Sequence, residues 1–136
     1  MITRRAALAA LMLVVTGCVH YPSITDVGGV RLRTENGRAV RDGDRARVVF
    51  DVVSTGKYGD VITGVFAPVA KGAQLVDATG APLARYEVPG AATVKFIPDG
   101  PHVVLTGLRP LTPRETFILT LQFERSGGIG VVTVVE

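Results

Sequence analysis

The sequence predicts an all-β domain, a sandwich or barrel of about eight short strands. Three features of the chain lead to this fold class. Valine is abundant in short β-branched and aromatic runs, glycine and proline interrupt those runs at frequent intervals, and the periodicity of an amphipathic helix is nearly absent. Short strands separated by turns about every 8 to 12 residues favour a sandwich or barrel over an alternating strand–helix fold.

Eight runs have the composition of strands, and turn signals such as Thr55-Gly56 and Pro89-Gly90 separate them. Alternation is clearest in the seventh run, in which phenylalanine and leucine occupy one face and mostly polar residues the other. The last run is valine-rich, so we expect it to be paired inside the sheet rather than left at an edge. The predicted strands are 45–54, 61–66, 73–78, 83–88, 93–97, 102–106, 115–124 and 129–135.

The first 17 residues have the layout of a secretory signal peptide. Arg4 and Arg5 form a short basic segment, and residues 6–15 form an apolar run without charge. That run is too short for a transmembrane helix, which needs about 20 apolar residues. We therefore expect residues 1–17 to direct export and to be removed.

Cys18 follows the apolar run directly, after Val15-Thr16-Gly17. The segment resembles the lipobox of bacterial lipoproteins, which implies a diacylglycerol on the Cys18 thiol and cleavage just before it. The protein would then be anchored to the cell membrane or the outer membrane, with its domain on the periplasmic or extracellular side. The alternative is an ordinary signal peptide with a chance cysteine. Lipidation explains better why an exported chain has a single, unpaired cysteine, and two acyl chains give stable attachment.

The mature chain divides into a tether and one domain. Residues 18–29 are polar and broken by Pro22 and two glycines, so we expect a lipid anchor and tether there, with residues 30–136 as the folded domain. The precursor has 15 basic and 12 acidic residues, and loss of the two signal-peptide arginines leaves 13 basic residues. A nearly neutral chain does not favour nucleic-acid binding. The charged stretch 41–47 is interpreted as a solvated turn.

Residues 87–108 carry a resemblance to a known family. They contain an extended run, an Ile-Pro turn, a second run, a Pro-Asp-Gly-Pro corner, His102 and a Gly-Leu pair. This order resembles the core of the periplasmic copper chaperone family called PCu(A)C, and the similarity extends through residues 48–68 and 110–135. The resemblance implies a cupredoxin-like β-sandwich of Greek-key type.

The resemblance also implies where a metal site would lie. The family binds one copper(I) ion with two histidines and two methionines, because thioether sulfur suits this soft ion. His102 takes the histidine of the family's His-x-Met pair, but Val104 takes the methionine position. The second histidine position falls on Val76, and the region 77–85, which would carry the other methionine, is several residues shorter. Both methionines of this chain lie in residues 1–17. We therefore expect a degenerate copper site.

Two interpretations of His102 stay open. In one, it is a structural residue at the start of a strand, hydrogen-bonded to a neighbouring carbonyl. In the other, it is a residual ligand of a remodelled site, with Asp99, His20 or a ligand from another protein. His20 would be third in the mature chain, where a histidine can chelate copper(II), but acylation of the Cys18 amine would abolish that site. Its alternative role is that of a tether residue.

No catalytic motif is recognisable in the sequence. Two histidines, one cysteine and no Gly-x-Ser-x-Gly give no nucleophile–base set, and the glycines of 127–130 stand between strands rather than before a helix. We predict a non-enzymatic, lipid-anchored binding or scaffolding module of the cell envelope, with an envelope protein as the candidate partner and copper as the one candidate cofactor. The alternative is a copper carrier that uses His102 with unconventional or partner-supplied ligands.

Overall fold

A computed structural model describes residues 24–136 of the chain. This part contains ten strands, and no segment of it is a helix long and apolar enough to cross a membrane. The signal peptide, Cys18 and His20 lie outside the described residues. The strands are β1 Ile24–Val27, β2 Val30–Asp42, β3 Arg45–Ser54, β4 Asp60–Phe66, β5 Ala70–Val76, β6 Tyr86–Val88, β7 Ala92–Phe96, β8 His102–Leu108, β9 Thr116–Phe123 and β10 Gly127–Val135.

The strands form one hydrogen-bonded path in the order β5-β8-β3-β2-β10-β9-β4-β6, with β1 added to β2 and β7 added to β3. Every pairing is antiparallel except that of β10 with β2. β10 lies between β9 and β2, so the prediction of an interior position for the last strand is confirmed. Each of the eight predicted strands overlaps one of β3 to β10.

One hydrophobic core lies between the inner faces of these strands. Residues of β9 alternate as predicted: Phe117, Leu119, Leu121 and Phe123 are buried, and their neighbours are not. Phe96 of β7 stacks on a phenylalanine of β3 with ring centroids 4.4 Å apart. This alternation, repeated in the central strands, is why the chain closes around a single core.

Strand β2 is the main feature that the sequence-based prediction missed. Its inner residues are even-numbered up to Thr34 and odd-numbered from Gly37, because a β-bulge interrupts the pairing with β3 between Glu35 and Arg38. Asn36 in this bulge has a φ of 58°. A side chain at Gly37 would place its Cβ 2.4 Å from the carbonyl oxygen of Val132. The switch of parity conceals the period of two that identifies a strand.

Two boundaries also differ from expectation. Residues 24–27, placed in the tether by sequence, form β1 and pair with β2 as far as Arg33, so strand structure begins before residue 30. The stretch 41–47 is mostly strand, and the solvated turn is confined to Gly43 and Asp44. Charged residues occupy most of the exposed positions of the stretch 41–47, which is why its composition resembled that of a turn. β1 has four residues and directly precedes the Gly28-Gly29 turn, so it has no recognisable strand pattern of its own.

Asp60, the first residue of β4, is buried and fixes the β9–β10 turn to the start of β4. Its carboxylate accepts hydrogen bonds from the N–H groups of Val61 (2.8 Å), Arg125 (3.0 Å) and Ser126 (2.8 Å), and from the Ser126 hydroxyl (2.7 Å). Burial by itself raises the pKa of Asp60, but these hydrogen bonds, with that of the Ser126 hydroxyl first among them, outweigh burial and lower the pKa below its ordinary value of 3.8.

Replacing Asp60 by asparagine is expected to lower the free energy of unfolding at neutral pH by about 1–3 kcal/mol, because an amide NH₂ would face the donors of Ser126. Since the pKa is lowered in the folded state, the carboxylate stabilises the fold above pH 3.8, and this contribution is lost as the pH falls through the folded-state pKa. Urea unfolding of the two chains should therefore differ more at pH 7 than at about pH 2.5.

The exposed Asp26, replaced by asparagine, is the matched control, and its variant should unfold like the native chain at both pH values. A difference for the Asp60 variant that is equally large in acid and at neutral pH would contradict the role of its carboxylate.

Candidate functional site

His102 opens β8 immediately after the predicted corner at residues 98–101. It is 6% exposed, and its Nδ1 lies 2.9 Å from the carbonyl oxygen of Gly100. Because a carbonyl only accepts, Nδ1 is the protonated nitrogen in this contact, and in the neutral ring Nε2 keeps its lone pair. The hydrogen bond to a neighbouring carbonyl agrees with the structural interpretation of this residue.

The second ring nitrogen of His102, Nε2, is not used in a hydrogen bond with the described residues. Within residues 24–136, Ser54 Oγ is the one side-chain polar atom that is sealed from solvent without a hydrogen-bond partner. Nε2 of His102 also has no hydrogen-bond partner among the described residues, but it is not sealed from solvent as Ser54 Oγ is. His102 lines a surface groove. The ring can therefore meet a ligand through Nε2 while Nδ1 holds its orientation.

Pairing of β5 with β8 brings the predicted ligand positions together. Val76 is the cross-strand partner of His102, and Gln74 is the partner of Val104. Directly paired residues have Cβ atoms about 4.5–5.5 Å apart, and residues two apart on a strand share a face. Val76, His102 and Val104 therefore form one contiguous patch, with valine methyl groups on two sides of the imidazole.

This patch lies in a groove of about 1030 Å³. Two arginines and two aspartates line it, so its charges balance. Asp99, predicted as a companion of His102, is one of the aspartates, whereas His20 falls outside the described residues. Other polar lining comes from residues that sequence reasoning had not assigned to a site: Arg45, Arg47, Gln74, Thr79 and Thr106.

The arginines of the groove wall carried a signal in the sequence. Arg45 and Arg47 are two residues apart at the start of the predicted strand 45–54, which is β3. The stretch 41–47 was also interpreted as a solvated turn, so neither arginine was assigned to a site. In the structure Arg47 pairs with Val104, so β3 places it beside the predicted ligand positions. The salt bridges of residues 24–136 involve neither arginine.

The short connection after β5 closes one end of the groove. Asp77 Oδ1 accepts hydrogen bonds from the Thr79 N–H (2.9 Å), the Thr79 hydroxyl (2.6 Å) and the Ala81 N–H (2.9 Å). The Thr79 hydroxyl, followed by the Ala81 N–H, lowers the pKa of Asp77 against a smaller opposing effect of burial. The chain then returns to form a bridge between Pro82 and Val76, which buries Val76 to 4% exposure.

Groups of three or more histidine, cysteine, aspartate or glutamate residues that could hold a metal ion do not occur between residues 24 and 136. The arrangement offers one imidazole nitrogen, two guanidinium groups, an amide and hydroxyls around an apolar patch. Such a surface can bind a polar or extended ligand by hydrogen bonds and apolar contact.

Replacing Asp77 by alanine is expected to open the turn of residues 77–81, because its Oδ1 accepts three hydrogen bonds. Amide hydrogen exchange at Thr79 and Ala81 should become at least about tenfold faster. Asparagine at the same position is the matched control, since its amide oxygen can replace Oδ1. Equal exchange rates in the alanine and asparagine variants would show that the carboxylate oxygen does not hold this turn.

Several solved structures are similar to this chain in fold, among them copper-bound ones. The copper-bound PCuAC domain from PmoF2 gives a TM-score of 0.68 at 24% identity, covering 87% of this chain and 98% of that domain. A copper(I)-bound protein of Deinococcus radiodurans gives a TM-score of 0.57 at 17% identity, covering 93% of this chain and 85% of that protein. At these identities the likeness establishes the fold alone. The domain is thus a cupredoxin-like β-sandwich, and the predicted resemblance is confirmed.

Sequence comparison gives the family. A protein of Leifsonia xyli subsp. xyli, described as "Putative lipoprotein", is 28% identical over an alignment 134 residues long, which covers 88% of this chain and 81% of that protein. Residues 27–135 match the family model described as "Putative lipoprotein LpqE-like". Because this match spans most of the chain, the protein belongs to the LpqE-like family.

Proposed function

We propose that this protein is a lipid-anchored, non-enzymatic binding module of the cell envelope, in which the copper-binding end of the fold has become a groove for a protein partner. The observation that carries the proposal is the position of two valines. Val76 and Val104 fill the places beside His102 that the chaperone resemblance assigns to ligands. Valine methyl groups have no lone pair for a metal. Val76 is already buried under the Pro82 bridge, and the half-buried Val104 keeps apolar surface that can bury against a partner.

The donor set of the groove does not fit copper(I) as the chaperone family binds it. A soft ion requires thioether, thiolate or imidazole ligands, and the groove supplies one imidazole nitrogen, that of His102. Asp99 offers hard carboxylate oxygens, which suit other ions better. The groove instead has donors suited to carbonyl and carboxylate oxygens of a peptide, among them Arg45, Arg47 and Gln74.

Attachment to a membrane through Cys18 is the second part of the proposal. It is supported by the basic and apolar leader, by the lipobox-like segment before Cys18 and by the lipoprotein descriptions of the family and of the relative. The module would then work on the periplasmic or extracellular side of the membrane that holds it.

A copper carrier is the second candidate, and one observation favours it. His102 lines the groove and has its Nδ1 fixed by a backbone carbonyl, as many ligating histidines do. In this alternative a partner protein supplies the remaining ligands. Copper uptake would then occur only in the mixture of the two proteins.

Restoring two of the three missing ligands, those at the valine positions, tests whether the valines separate this protein from the chaperones. The double variant Val76→His with Val104→Met is expected to bind one copper(I) ion per chain. Its affinity should be about 100-fold higher than that of the native chain, because we expect each added soft ligand to raise the affinity about tenfold. Competition with a copper(I) chelator under reducing, oxygen-free conditions measures the difference.

The matched control is Val132→His with Val134→Met, which places the same residue types two apart on the outer face of β10, away from the groove. Thermal unfolding of each variant establishes that it is folded. The proposal would be contradicted if the native chain bound copper(I) as tightly as the groove variant does. It would also be contradicted if the control variant gained as much copper(I) affinity as the groove variant.

A further inference from the structure

A cluster of exposed apolar and basic residues lies at the end of the molecule that contains β1. Ile24, Val27 and Tyr58 are 57%, 42% and 50% exposed. Val27 precedes the Gly28-Gly29 turn, and the Tyr58 ring lies against that turn, since a Cβ at Gly29 would be 3.0 Å from it. We call this surface, formed by Ile24, Val27, Arg31, Lys57 and Tyr58, the β1 end.

The β1 end has two basic side chains, Lys57 and Arg31, and one exposed acidic side chain, Asp26. Lys57 Nζ lies 5.4 Å from the centroid of the Tyr58 ring, and Arg31 is the cross-strand partner of Asp26 in β1. Neither basic residue takes part in a salt bridge with the described residues. Arg33, by contrast, is paired with Glu35 at 3.7 Å. Two cations next to an exposed tyrosine and two aliphatic side chains are thus available to a partner.

The length of chain before β1 restricts what that partner is. At about 3.6 Å per residue, the segment from Cys18 to Ile24 spans at most about 21 Å. A lipid on Cys18 would therefore hold the β1 end close to the bilayer surface. The groove lies toward the other end of β2, where Val40 and Asp42 line it. From Arg31 to Asp42 the strand extends roughly 35 Å at about 3.3 Å per residue.

We propose that the β1 end rests on the surface of an anionic bilayer, with Ile24, Val27 and Tyr58 in the headgroup region and Lys57 and Arg31 on lipid phosphates. The inference rests on the lipid anchor of the proposed function. Tyrosine is favoured at membrane interfaces, and basic side chains are attracted to anionic headgroups. Contact at this end directs the groove away from the membrane, toward partners in the surrounding compartment.

The single cysteine allows a direct test. The mature chain, residues 18–136, is coupled through the Cys18 thiol to a maleimide lipid in vesicles of phosphatidylcholine and phosphatidylglycerol. Hydrogen exchange is then compared between the coupled and the free chain by mass spectrometry. Peptides covering 24–31 and 55–59 should exchange at least about fivefold more slowly on the vesicle, whereas those covering 72–80 and 98–106 should not change.

Two variants separate specific contact from mere tethering. Lys57→Glu combined with Tyr58→Ser should lose the protection at the β1 end, and so should the native chain on vesicles of phosphatidylcholine alone. Val132→Ser combined with Val134→Ser, which removes exposed valines from β10, should keep it. Equal protection of the groove peptides, absence of protection in the coupled native chain, or protection that survives the Lys57–Tyr58 change would overturn the proposal.

The anchor itself is tested separately by fractionating cells that express the full chain with Cys18→Ser. If that variant stays in the membrane fraction, lipid attachment at Cys18 is refuted as the anchor. The vesicle experiment is still decisive for the β1 end in that case, because its attachment is chemical.

Discussion

Strand β2 is the element on which both parts of the sheet depend. It pairs with β3 along most of its length, with β1 through residues 30–33 and with β10 in parallel through residues 37–39. It therefore connects the first half of the chain to the last strand. Its bulge changes the inward-facing residues from even to odd positions, and Gly37 allows the backbone of β10 to lie against it. A residue with a side chain at Gly37 would collide with the Val132 carbonyl and separate the strands that enclose the core.

Strand β2 also connects two ends of the molecule that differ in their surface residues. At one end, β1 has exposed apolar side chains with basic side chains nearby, and β1 begins six residues after Cys18 in the sequence. Toward the other, β2 and β3 form a wall of the groove around His102. The core keeps the two ends at a fixed separation, because the buried residues of β2 and β3 interlock along its length. A rigid spacer of this kind suits a module that is attached by one end and recognises a partner with the other.

Much of the fold could be predicted from local patterns, since β3 to β10 have the composition, turns and alternation of strands. β2 could not, because the bulge breaks its period of two. β1 could not, because it is only four residues long and half of them are exposed apolar residues. Val76 and His102 were assigned from a family pattern, and the register of β5 and β8 makes them partners. The contribution of Arg47 depended on the pairing of β3 with β8, which joins residues far apart in sequence and leaves no local signal.

The central claim is that His102 has remained while the other copper ligands have been replaced by residues that shape a groove. The most direct test is titration of the mature native chain and its His102→Ala variant with copper(I), in competition with a chelator and without oxygen. The account predicts that the two chains behave alike and that neither binds one equivalent at micromolar affinity. One-to-one binding by the native chain at micromolar affinity or better, abolished by His102→Ala, would contradict it.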